Sequence, residues 1–245
     1  MTPPRVGVVL VHWGPAIPAE RLQDHWNWNG AFYEAARVRV YVVTDEPKPL
    51  PRYAVPVYYR EPMDPFSLAK TGNRGIRRAC DDGCEIIIKT DPDIAWHGAT
   101  LEACCALGHG RGIAPIYRMA DCFDDVQAGV RNMNVWPDSC GTIALHARTW
   151  HDLHGYDERM TGYGIEDGDL AQRACKRGIK IDRQFLLYHI AHRQGTPQVG
   201  PHRGDQWGRA EKINPRNHGH NEKVLKKNRG ADPWFCETWG QKTEE

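Results

Sequence analysis

The 245-residue sequence contains no apolar run approaching the roughly 18 residues that a membrane-spanning helix requires. Its start, Met1 to Arg5, has no basic stretch followed by an apolar one, so no secretory leader is expected and the expected location is the cytoplasm. An excess of charge is also missing. Lys plus Arg total 32 against 31 for Asp plus Glu, a formal charge of +1, which excludes bulk electrostatic attraction to nucleic acid or a membrane surface. Such a partner would have to be met by a local patch. The eight cysteines (Cys80, Cys84, Cys104, Cys105, Cys122, Cys140, Cys175 and Cys236) lack the paired CxxC spacing of a tetrahedral zinc site and read as reduced thiols. There is no internal repeat and no low-complexity tract.

What is present is enough apolar residue, 40% of the chain, to bury one substantial core. Val6 to Val11 is a continuous β-branched and apolar run closed by Trp13-Gly14-Pro15, as expected of a central strand buried on both faces. A helix is expected over Ala19 to Ala36, on the spacing of Leu22, Trp26, Phe32, Tyr33 and Ala36. Strands follow at Val38 to Val43, Val55 to Tyr59 and Cys84 to Ile88, the last after a helix over Leu68 to Ala79. Further strands are expected at Gly112 to Tyr117 and Thr142 to Leu145, with helices over Asp167 to Arg177 and Asn221 to Asn228. This order predicts an α/β domain with a mostly parallel central sheet flanked by helices, its ligand site at the carboxyl ends of the strands. The expected division is a core over 1–195 and an irregular basic extension over 196–245.

Three constellations carry candidate chemistry. Asp91-Pro92-Asp93 follows the buried run Ile86 to Ile88, so a short rigid turn presents two carboxylates at a strand end, where they can hold Mg²⁺ or Mn²⁺. Asp-Pro-Asp is also an ordinary turn sequence. Gly162 to Leu170 delivers Glu166, Asp167 and Asp169 to the first turn of a helix behind two glycines and Tyr163. Helix capping explains one of these acids, but three together repel one another unless a cation or proton is near. His189 and His192, three apart after Phe185-Leu186-Leu187, can face one side of a turn and suit a divalent metal.

In this order, with Gly155-Tyr156-Asp157-Glu158 before the acidic segment and Asn73-Arg74-Gly75 before the acidic turn, the motifs resemble nucleotide-sugar transferases of the GT-A fold. Gly162 to Leu170 is similar to the GWGGEDDD-type segment of the galactosyltransferase C-terminal region. The resemblance spans about Val6 to His192. It implies that Asp93 binds the metal with His192 and His189, that Asp91 contacts the donor ribose or the metal, and that Val11, Trp13, Asp45, Asn73, Tyr163 and Gly164 belong to the donor site. It further implies Asp167 as general base and Glu166 as its acceptor-orienting neighbour. Three positions depart from the pattern: Tyr163 stands for a tryptophan, Ile165 for a glycine, and Gly168 interrupts the acids.

The implied activity is transfer of a hexose or N-acetylhexosamine from a UDP-sugar, with Mn²⁺ or Mg²⁺, to a hydroxyl acceptor, with inversion. A retaining transferase, a nucleotidyltransferase or phosphatase, and a non-catalytic sugar- or nucleotide-binding module are the alternatives. From Arg183 to Arg229 ten Lys or Arg face three Asp or Glu. This basic end can act as a lid over a diphosphate or receive a polyanionic acceptor such as DNA, or it is simply a solvated face.

Overall fold

The computed structural model describes residues 4–12, 19–59, 67–120, 126–127, 135–136, 141–162, 164–190 and 218–229. In chain order the elements are β1 (Val6–His12), α1 (Ala19–Ala36), β2 (Arg39–Thr44), β3 (Ala54–Tyr58), α2 (Leu68–Asp81), β4 (Ile86–Thr90), β5 (Ile94–Trp96), α3 (Gly98–Cys105), β6 (Arg111–Ile113), β7 (Ile116–Ala120), β8 (Val135–Trp136), β9 (Ile143–His146), α4 (Ala147–Leu153), α5 (Glu166–Lys176), β10 (Lys180–Asp182), β11 (Leu186–Ile190) and α6 (His218–Arg229).

A seven-stranded sheet runs in the order β10-β6-β9-β4-β1-β2-β3. Its β3, β2, β1 and β4 are parallel, as are β6 and β10, while β9 is antiparallel to both its neighbours. The sheet is therefore mixed but mostly parallel, as the alternation of strands and helices predicts. Successive residues of the central strands enter opposite halves of the core. Val9, Val11, Tyr41, Val43 and Ile87 pack with Ile76 of α2, Trp150 of α4 and Leu170 of α5. Val8, Leu10, Val40, Val42, Ile86 and Ile88 pack with Leu22 and Tyr33 of α1 and Leu101 of α3. Both faces are covered, which is why β1 and β4 read as continuous apolar runs. Each such buried side chain contributes about 1.5–3 kcal/mol.

A second sheet, ordered β5-β11-β7-β8, was not anticipated. The strand expected over Gly112 to Tyr117 is two strands: β6 lies in the large sheet and β7 in the small one. They part at Ala114-Pro115, where proline has no N–H to continue a ladder. The helices α3 and α4 were also unforeseen, while the helix expected over Asn221 to Asn228 is present as α6. On α1 the expected apolar face is shifted: Phe32 is exposed, whereas His25 and Asn29 are fully buried. The five cysteines among the described residues are free, and no described helix is long and apolar enough to cross a membrane.

Candidate active site

The carboxyl ends of three parallel strands lie side by side, because His12 of β1 is in register with Thr44 of β2 and Leu10 of β1 with Thr90 of β4. Asp45 follows β2 at this edge, and Asp91-Pro92-Asp93 leaves β4 there and leads into β5. Strand β11 pairs antiparallel with β5, His189 opposite Ile94, and the Ile190 N–H donates to the Asp93 carbonyl at 2.8 Å. This pairing sets the His189 Nε2 3.5 Å from Asp93 Oδ2, across 96 residues of chain.

The turn between the two aspartates is held from behind by α1. His25 lies 3.1 Å from the Pro92 carbonyl through Nδ1 and 2.8 Å from the Tyr33 hydroxyl through Nε2. Trp96 Nε1–H donates to the same hydroxyl oxygen, while Asn29 donates to the Ile94 carbonyl and accepts the Trp96 N–H. The assignment that satisfies every group makes His25 a donor at Nδ1 and an acceptor at Nε2. Burial keeps the imidazole neutral by pushing its pKa down to about 4.

On the other side of the turn lies a buried charge cluster. Lys89, the fourth residue of β4, is wholly buried, and its ammonium donates to Asp91 Oδ1 at 2.6 Å. Burial pulls the pKa of this amine down, but Asp91, Asp167 and Glu166 together hold it above the ordinary value. Gly141, ahead of β9, closes the cluster at φ +88. A Cβ there would stand 2.2 Å from Asp91 Oδ2 and 3.3 Å from Lys89 Nζ, so only a bare Cα fits against the pair. Burial raises Glu166 to about 8, with Asp167 adding to the rise. Burial also raises Asp167, against the pull of Lys89, the neighbouring Tyr156 hydroxyl and the Gly141 N–H. Glu166 Oε2 and Asp167 Oδ1 are shielded from solvent with no hydrogen-bond partner among the described residues. Two inward oxygens of this kind call for a ligand or a proton.

No curated protein sequence matches the chain. The family model for the N-terminal domain of galactosyltransferase matches residues 132–193, a span that includes Glu166, Asp167 and His189. The catalytic domain of Drosophila β1,4-galactosyltransferase 7, solved with xylobiose, superposes with a TM-score of 0.55 at 13% identity, over 85% of this chain and 80% of that one. The fold is the GT-A glycosyltransferase fold. A mannosyltransferase from Pyrobaculum calidifontis, solved with GDP-Man and Mn²⁺, shares it at 18% identity with a TM-score of 0.54, over 91% of this chain and 64% of its own. GalNAc-T7, solved with UDP, GalNAc and Mn²⁺, shares it at 12% identity with a TM-score of 0.57, over 86% of this chain and 48% of its own.

Within this GT-A framework Asp91, Asp93, His189, Glu166, Asp167 and Asp45 all belong to the carboxyl edge or to the elements that close over it. Trp13, Tyr163 and His192 lie outside the described residues. Among the described residues no group of three His, Cys, Asp or Glu side chains is placed to hold a metal. Val11 has its side chain in the core, 2% exposed, which leaves only its backbone at the edge. Asn73 is wholly buried, and its amide bridges the Tyr156 N–H and carbonyl while donating to Glu158. It braces Tyr156 beside Asp167. Two residues on, Gly75 brings α2 so close to the sheet that a Cβ would stand 2.5 Å from Val9 and 2.6 Å from Val43.

The acidic segment divides by task. Asp169 pairs with Arg173 at 2.7 Å, and Arg173 also donates to the Leu153 and Gly155 carbonyls, tying α5 to α4. Glu166 and Asp167 belong to the cluster. Ile165, the N-cap of α5, has φ +78 and makes no side-chain cap. A β-branched residue in that region carries about 1–3 kcal/mol of strain. The residues missed in the sequence are Lys89, Gly141 and the His25, Asn29 and Tyr33 trio. Lys89 extends a run otherwise buried on both faces, and an uncompensated charge there is a signal of a partner. The trio recurs every four residues, a polar stripe on one face of a helix.

Proposed function

We propose that the chain is a metal-dependent, inverting glycosyltransferase that moves a hexose or N-acetylhexosamine from a UDP-sugar to a hydroxyl-bearing acceptor. The observation that carries this reading is the meeting of Asp93 with His189 two residues from Asp91, which in turn shares the Lys89 cluster with Glu166 and Asp167. A hard oxygen and an imidazole nitrogen suit Mn²⁺, and Asp93 and His189 would hold it together with His192. When bound, the cation would supply neutralising charge to the departing diphosphate.

The protein's own groups account for the rest of the reaction. Asp167, with Lys89, Tyr156 and the Gly141 N–H favouring its ionised form, takes the proton of the acceptor hydroxyl as that oxygen attacks the anomeric carbon. Glu166, whose pKa burial raises to about 8, donates a hydrogen bond that orients the acceptor when it carries its proton. Asp45 and Asp91 bind the donor at the strand ends. The exposed Lys223, Lys226 and Lys227 of α6 support a polyanionic acceptor, which would approach along that helix.

The test is UDP binding with and without Mn²⁺, followed by UDP release from UDP-sugars in the presence of candidate acceptors. Acceptor-dependent release marks a transferase. Asp93→Ala is expected to abolish the Mn²⁺-dependent part of UDP binding while the fold survives, and unchanged Mn²⁺-dependent affinity in that variant removes the metal assignment.

A further inference from the structure

We infer that helix α6 belongs to the active site, because its Asn221 side chain clamps the loop that launches Glu166 and Asp167. Asn221 is wholly buried, although it lies in a helix 57 residues beyond Gly164. Its Oδ1 accepts the Thr161 N–H at 3.1 Å, and its Nδ2 donates to the Thr161 carbonyl at 3.1 Å and to the Gly164 carbonyl at 2.8 Å. One amide thus satisfies backbone groups on both sides of position 163. His220 adds a donation to the Arg159 carbonyl at 3.0 Å, and Val224 and Leu225 seat the helix against the core. The same loop is pinned on its other side, where Ser67 donates to the Met160 carbonyl and the Leu68 N–H to the Gly162 carbonyl.

The clamp stands beside the strained residue. Ile165 occupies the left-handed region at φ +78, a conformation that glycine adopts freely and isoleucine resists. Left to itself, Ile165 would relax toward negative φ. That rotation would turn the Gly164 carbonyl away from Asn221 and re-aim the first turn of α5, which carries Glu166 and Asp167. Strain of this kind persists only where surrounding contacts over-determine it, and Asn221 supplies three such contacts from outside the segment. Asn221 is therefore a positioning residue: it acts on the acidic pair through the loop backbone.

The inference rests on the proposed transferase reading for its catalytic consequence, but not for its structural one. In Asn221→Ala, exchange of the Thr161 amide, which donates to Asn221, and of the Asp169 amide, which closes the first turn of α5 on the Ile165 carbonyl, should speed up by about tenfold or more while β1 and β4 keep their protection. If the alanine variant loses protection throughout, Asn221→Asp is read at Asp169, since it keeps the shape and the acceptor to Thr161 but loses both Nδ2 donations. Unchanged exchange at Asp169 in a folded variant overturns the clamp whatever the protein catalyses.

The second arm is a double-mutant cycle on turnover of the UDP-sugar. Asn221→Ala should lower kcat by about tenfold or more with donor KM nearly unchanged, and the loss should shrink to within about threefold in an Ile165→Gly background, because glycine needs no clamp. An equal loss in both backgrounds overturns the proposed link to Ile165. Faster loop exchange in a protein that turns over no nucleotide sugar leaves the clamp standing and refutes the transferase reading instead.

Discussion

Lys89→Met puts the buried charge cluster under direct test. The ammonium has no exposure and lies 2.6 Å from Asp91 Oδ1, and it is the cation that offsets Asp91, Asp167 and Glu166 together. Methionine fills a similar volume, so the packing loss is small. What remains is the buried Glu166 and the half-buried Asp91 and Asp167 without their counter-charge. Removing one member of a buried pair costs about 3–5 kcal/mol, which for a domain of this size lowers Tm by about 6–20 °C. The loss should depend on pH. Lys89 itself stays charged through the neutral range, so the dependence comes from the carboxyl groups. Asp91 is raised to about 6 and Glu166 to about 8. Below those values they are protonated and need no cation. Thermal unfolding of the metal-free protein at pH 7.5 and pH 5 is the assay, with the variant's deficit expected to be large at the higher pH and smaller at the lower. A deficit below about 2 °C at pH 7.5, or one of the same size at both, refutes the assigned role of Lys89.

Asp167→Asn should leave donor binding in place and lower turnover by about 10²–10⁴, and near-normal turnover in that variant rules Asp167 out as the base. Gly141→Ala should lose about 1–2 kcal/mol from the left-handed backbone alone, and more from pushing Asp91 off Lys89; urea unfolding measures the sum, and a variant as stable as the parent shows that the glycine contact is dispensable. In the parent protein Glu166 binds its proton more tightly folded, at about 8, than at the ordinary 4.5. The folded state is thus the better proton binder between those values, so the stability of the metal-free protein should fall as pH rises through that window. Glu166→Gln should flatten the slope, and an unflattened slope assigns it to other groups.

The central strands of the large sheet were legible because they are covered on both faces, and a run such as Ile86 to Ile88 has few other places to go; its half-exposed edge strand β10 was not anticipated. The small sheet was not, because its strands are short and one of them, β7, follows β6 after two residues with no composition change beyond Pro115. Asp93 with His189, and Glu166 with Asp167, were legible as candidate site residues from the resemblance of their motifs, and the structure brings each pair together. Gly141 against Asp91 and Lys89, His25 against the Pro92 carbonyl, and Lys89 against Glu166 and Asp167 act across 50 or more residues, and a local pattern does not show such distances. Asn73 shows the reverse case: its motif was visible in the sequence, but its surroundings alone show that it braces Tyr156.

Asp91 and Asp93 are separated by a single proline, yet they serve different frameworks. Asp91 is fastened to Lys89 in the large sheet, and Asp93 meets His189, carried by the small sheet. The tripeptide is thus the rivet between two plates, one adjoining the proposed acid–base groups and the other carrying the proposed metal-side histidine. Any change in its length would slide the plates past each other and, in the proposed reaction, take the leaving group out of line with the incoming hydroxyl, even with every side chain of the site intact. The spacing of this turn, more than the identity of any one carboxylate, fixes the distance over which the sugar would be passed.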